Sequence, residues 1–242
     1  MKRLPCGLTI VLPIIPLLLA ITACSKKSNT TSIPAIMNTT NDTGKKYLAL
    51  GDSYTIGQSV AENERFPAQT ISLLRAQNIS IKDPQYIAVT GWTTANLMSA
   101  INSRNPQGPF DLVTLLIGVN DQYQGVDTAT YRTRFTQLLN KAVELAGAKA
   151  SHVFVLSIPD YSVTPFVPQP DKARVRREVD WFNAINKHVT LQNNIAYVDI
   201  TPSTRQAETN QTLIANDGLH PSGLEYKKWA ETLAPLAKQA LQ

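Results

Sequence analysis

Cysteine is the scarcest chemically useful residue in this chain: two among 242, Cys6 and Cys24, both close to the N-terminus. A chain cleaved before Cys24 keeps that one thiol alone, and if it is lipidated none remains for disulfides, redox work or thiolate metal sites. Histidine is nearly as scarce, with three, so any imidazole chemistry must use His152, His188 or His220. Charge is modest at 17% of residues; without Lys2 and Arg3, 21 basic face 18 acidic side chains, too small and dispersed a surplus for a nucleic-acid partner. The densest basic run, Lys172, Arg174, Arg176 and Arg177, would spread over more than one face of a helix and reads as a solvated surface. There is no phosphate-loop Gly-x-x-x-x-Gly-Lys, no dinucleotide fingerprint and no His-Glu-x-x-His pair, so no metal or nucleotide cofactor is expected. No serine precedes a lysine by three, which excludes the penicillin-binding signature.

What is present begins with a leader. Residues 1–23 combine a basic start, an apolar stretch from Leu8 to Ile21 and small residues before Cys24, the layout of a secretory signal peptide. The stretch is short and carries Pro13 and Pro16, which argues against a permanent spanning helix. Residues 24–44, rich in Ser, Thr and Asn without hydrophobic period, read as a flexible tether that includes the sequons at Asn29, Asn38 and Asn41.

From Lys45 to Gln242 strand and helix patterns alternate. Apolar, β-branched runs at 46–51, 85–89, 111–117, 152–158 and 195–199 predict strands, and helical periods fall at about 66–78, 93–102, 129–147, 171–191 and 221–241. The order predicts an α/β fold, a three-layer α/β/α sandwich around a five-stranded, mainly parallel sheet, because crossovers place helices on both faces. One connection is long: Asp160–Pro170, studded with prolines and placed after the fourth strand, where loops carry function more often than not.

Four segments at predicted strand ends carry chemistry. Ser53 follows Tyr47-Leu48-Ala49-Leu50-Gly51-Asp52, Gly91 follows Ile87-Ala88-Val89, Asn120 follows Ile117-Gly118-Val119, and Asp217 and His220 lie in Asp217-Gly218-Leu219-His220. A serine hydroxyl needs an adjacent base to become nucleophilic. His220 is the candidate, since His152 opens a strand and His188 lies late in a helix. Asp217, three residues back, can reach its Nδ1 across a tight turn, while Pro221 suits the first turn of the next helix. The N–H of Ser53, the N–H of Gly91 and the side-chain amide of Asn120 are candidate oxyanion donors. Singly, Gly91 reads as a turn, Asn120 as a cap or turn residue and Asp52 as a cap; their joint order favours catalysis. Position 55 is Thr, so this is not the Gly-x-Ser-x-Gly elbow.

The four blocks resemble those of the SGNH (GDSL-type) hydrolase family over roughly residues 45–242, most specifically at Asp-Gly-Leu-His-Pro-Ser-Gly. The resemblance implies a serine esterase of flavodoxin-like α/β/α architecture with Ser53, Gly91, Asn120, Asp217 and His220 in the family's functional positions. Ile21-Thr22-Ala23-Cys24 likewise resembles the bacterial lipobox, which implies a lipidated Cys24 and a membrane partner in the cell envelope; ordinary cleavage near Ala23 with release of a soluble enzyme is the competing reading. Tyr54, Trp92, Tyr123, Tyr161 and Phe166 stand beside these blocks or in the long loop and are candidates to line a pocket, with core packing as the alternative for each. Short-chain acyl or O-acetyl carbohydrate esters are the expected substrates. A lysophospholipase or thioesterase of the same family, an acyl transferase, and a non-catalytic surface-binding lipoprotein remain alternatives.

Overall fold

The computed structural model describes residues 43–242. The leader, Cys24 and nearly all of the tether, with its sequons, lie outside the described residues. Five strands form the sheet: β1 (Tyr47–Gly51), β2 (Gln85–Ala88), β3 (Leu112–Leu116), β4 (Val153–Leu156) and β5 (Ala196–Val198), in the order β2-β1-β3-β4-β5. All four pairings are parallel, so the sheet is wholly rather than mainly so.

The central strands β1, β3 and β4 are buried along their whole length, as their uninterrupted apolar runs require when helices cover both faces. The expected helices form as α2 (Phe66–Arg75), α3 (Thr94–Arg104), α5 (Thr128–Leu145), α6 (Gln169–Gln192) and α8 (Gly223–Leu241). A short helix α1 (Ser53–Ile56) begins at the serine, and two further short helices were not legible: α4 (Val119–Tyr123) and α7 (Thr201–Thr204). Helix α2 packs on α8, while α5 contacts both α3 and α6, giving the two helical layers. Phe66, Tyr226 and Trp229 anchor the first of these, with Tyr226 and Trp229 edge to face at 4.9 Å.

From β1 the chain crosses outward to β2, then returns past β1 to β3. The crevice between the carboxyl ends of β1 and β3 is therefore the switch point of the sheet, where open α/β folds place their ligands. Ser53 follows β1 directly and Asn120 lies four residues beyond β3.

Candidate active site

The turn that presents Ser53 is built by close packing. A Cβ on Gly51 would lie 2.4 Å from the carbonyl of Leu116 on β3, so only glycine lets β1 end there. Asp52 then caps α1, its Oδ1 accepting from the Tyr54 N–H at 3.0 Å, and Gly57 closes the helix in the left-handed conformation. Burial pushes the Asp52 carboxyl up to about 8 despite the bond from Tyr54, with nearby Asp121 adding to the rise. Its Oδ2 is buried without a partner among the described residues, as suits a protonated acid. Ser53 stands at the first position of α1, where its N–H needs no partner within the helix and has none among the described residues.

Asp217 and His220 meet as expected. His220 Nδ1 lies 2.6 Å from Asp217 Oδ2, while Asp217 Oδ1 accepts from the backbone N–H groups of His220 at 2.9 Å and Leu219 at 3.0 Å. Gly218, at φ 72°, takes the left-handed position that folds the loop back. Pro221 departs from expectation: α8 starts at Gly223, and Pro221 instead forms an antiparallel bridge with Ile214. The loop is closed by that bridge and by the Ala215 N–H donating to the His220 carbonyl at 2.7 Å.

One residue of this group was missed. The Ser59 hydroxyl donates to Asp217 Oδ2 at 2.6 Å, tying the turn after α1 to a carboxylate 158 residues away. Burial raises the Asp217 pKa, but the bonds from Ser59 and from the His220 and Leu219 backbone outweigh it and hold the carboxyl well below its usual range. Ser59 has φ 68°, costly for a serine, and no sequence motif marks it.

Asn120 lies in the first turn of α4 rather than at a strand end. The helix begins after Gly118, where φ is 126° and a Cβ would meet the Tyr131 hydroxyl at 2.1 Å, so a side chain there is excluded on both counts. Asn120 Nδ2 donates to the Trp92 carbonyl at 3.0 Å, which fixes the amide beside the loop that carries Gly91. An amide nitrogen has two hydrogens, so one remains for a ligand. Gly91 is exposed, with φ 82° and no atom within 4 Å of a hypothetical Cβ; the backbone conformation, not close approach of the chain, asks for glycine.

A cavity of about 130 Å³ is lined by Ser53, Tyr54, Val119, Asn120, Tyr123, Tyr161, Phe166, Leu219 and His220. Nucleophile, base and amide candidates thus share one space, with four of the five singled-out aromatics. Trp92 and Gly91 do not line it: Trp92 is half-buried with the Arg104 guanidinium 5.7 Å from its ring centre. Tyr54 is buried in the main core with its ring centre 5.3 Å from that of His220, so it is core and cavity wall at once. His152 and His188 lie elsewhere, on a 3-10 turn and on α6. The Asp160–Pro170 segment forms a 3-10 turn at Tyr161–Val163 and passes into α6 at Gln169, so its last two residues are helical. Tyr161 is held by its hydroxyl on Gln122 Oε1 at 2.7 Å, and Phe166 by its N–H on the Gly218 carbonyl at 3.2 Å.

The fold recurs among solved structures. TesA aligns with a TM-score of 0.64 at 20% identity, over 81% of this chain and 100% of its own. The psychrotrophic esterase EstA of Pseudoalteromonas sp. aligns with a TM-score of 0.61 at 16% identity, over 81% and 97%. A catalytic mutant of an acetylxylan esterase from Geobacillus stearothermophilus aligns with a TM-score of 0.60 at 18% identity, over 80% and 94%. Among curated proteins none matches the sequence. The model of the GDSL-like lipase/acylhydrolase family matches residues 49–228, from β1 into α8, a span that contains Ser53, Gly91, Asn120, Asp217 and His220. The chain belongs to that family and is a carboxylic-ester hydrolase.

Proposed function

We propose that the protein cleaves short-chain acyl or O-acetyl carbohydrate esters through an acyl-serine intermediate. The observation that carries this reading is the small cavity in which Ser53, Asn120 and His220 converge between aromatic walls. With Nδ1 committed to Asp217, the imidazole has Nε2 free to take the Ser53 proton as Oγ attacks the ester carbonyl. Asp217 fixes the tautomer and stabilises the imidazolium. The unpartnered N–H of Ser53 and the second amide hydrogen of Asn120, which both face the cavity, receive the oxyanion, and the N–H of Gly91, on the adjoining loop outside the lining, joins them when substrate is bound. His220 then protonates the departing alcohol, and water reverses the sequence to release the acid.

The volume supports the choice of substrate. At about 130 Å³ the space is small beside the roughly 300–1,000 Å³ usual for ligand sites, which suits an acyl group of a few carbons. Tyr161 and Phe166 are fastened to α4 and to the Asp217–His220 loop, which makes them a wall rather than a flap. We also propose that Cys24 carries the lipid anchor, on the strength of Ile21-Thr22-Ala23-Cys24 and the polar tether after it.

A graded series of p-nitrophenyl esters tests the reading. kcat/KM is expected to fall from acetyl and butyryl to long-chain esters. Faster turnover of the long chains overturns the short-acyl assignment and favours a lysophospholipase.

A further inference from the structure

The wall that closes the small cavity has a second face. Tyr161 and Phe166 line the catalytic space, whereas their neighbours Ser162, Val163 and Pro165 line an open groove of about 650 Å³ whose floor is α6. Gln169, Lys172, Ala173, Arg176, Arg177 and Asp180 border it, a spacing that places them along one side of the helix. The basic run of α6 is thus sorted by the fold. Arg174 turns to Asp171 and Glu178, while the other three cations face the groove.

Those three differ in their ties. Arg176 is held by the buried Asp160 at 3.2 Å and by Glu208 at 3.2 Å. The groove acid Asp180 is taken up by Arg205 at 2.6 Å. Lys172 and Arg177 have no acidic partner among the described residues, and with Arg176 set against the groove acids Asp180 and Glu208 the lining carries one net positive charge, beside amide groups from Gln169 and Gln211. Consecutive residues are about 3.8 Å apart, so the groove begins one residue beyond the cavity wall at Phe166. Its volume lies within the usual range of ligand sites, about 300–1,000 Å³, and far exceeds what a lone carboxylate or phosphate fills.

We infer that this groove is a subsite for the alcohol portion of the substrate and that it takes an acidic saccharide, with a sugar carboxylate on Lys172 and Arg177 and hydroxyls on Gln169, Gln211 and Ser162. The inference rests on the reading of the protein as a hydrolase of carbohydrate esters. It adds a charge to the substrate class that the catalytic cavity does not specify.

Calorimetric titration of the whole protein with unacetylated trigalacturonate, and with neutral xylotriose as control, reads the groove without catalysis. Trigalacturonate is expected to bind more tightly, and the double variant Lys172→Gln/Arg177→Gln to weaken it roughly fivefold, two exposed charge contacts' worth. High salt should erase the preference. The double variant should hydrolyse p-nitrophenyl acetate at the wild-type rate, which also shows that it is folded. Absence of trigalacturonate binding, equal binding of xylotriose, or a trigalacturonate affinity unchanged in the double variant overturns the subsite. So does turnover of lysophosphatidylglycerol that falls in the double variant, which would assign the charges to a phospholipid head group. Failure of the hydrolase reading would show separately, as a wild type that binds the sugar acid but hydrolyses no ester.

Discussion

At the scale of the residue, one carboxylate organises much of the site. Asp217 accepts four hydrogen bonds, two from backbone, one from His220 and one from Ser59. Ser59→Ala removes the donor that shares Oδ2 with the imidazole, and kcat/KM is expected to drop about fivefold, the equivalent of one net hydrogen bond, with the fold retained. An unchanged kcat/KM would make Ser59 a bystander. Asn120→Ala should lower kcat by roughly 10²–10³-fold with little change in KM, because its bond to the oxyanion forms mainly in the transition state. The neighbouring Asp52 gives a pH dependence of opposite sign to that of Asp217. Its folded pKa, about 8, is raised above the unfolded value. Its contribution to stability is therefore whole below about pH 4 and is lost as pH rises through 8. Urea midpoints of the wild type should fall relative to those of Asp52→Asn between pH 5 and 8. A difference constant across that range would mean that Asp52 is ionised throughout.

At the scale of the element, what could be read in the sequence was what repeats. The five strands and five long helices follow from apolar periodicity, and their limits shifted by a few residues because helix caps and turns, not periodicity, set ends. Helices α4 and α7 have five and four residues, too few to show a period. That is why Asn120 was expected at a strand end and stands on a helix. Asp217 and His220 were legible since three residues of one tight turn separate them, whereas Ser59 reaches its partner only through the tertiary fold. The basic run on α6 reads in sequence as a solvated surface spread over more than one helix face; that Arg174 turns to Asp171 and Glu178 while the other three cations share one side appears only in the packing. Gly118→Ala tests how far backbone geometry supports the site. It should cost at least about 1–3 kcal/mol in strain and displace α4, so activity falls along with stability. In the long segment, Phe166→Ala should flatten the decline in kcat/KM from short to long acyl esters; an unaltered chain-length profile would remove Phe166 from the wall.

At the scale of the whole molecule, the described residues, 43–242, form one compact unit whose site sits at the switch point of its sheet. A chain starting at residue 43 keeps the backbone bonds of Lys45 to Ser80 and Lys82, and should fold and hydrolyse p-nitrophenyl acetate without the preceding segment. Fatty-acid labelling of the full-length protein in bacteria should be lost in Cys24→Ser, with release of the mutant from the membrane fraction; an unlabelled, freely secreted wild type would refute the anchor. The chemistry of the site depends on one claim, that the acyl group passes through Ser53. Treatment with a fluorophosphonate followed by peptide mass spectrometry addresses it directly. A single adduct is expected on Ser53, absent from Ser53→Ala, which should have lost esterase activity; an adduct on another serine, or full activity in that variant, would contradict an acyl-serine route through Ser53.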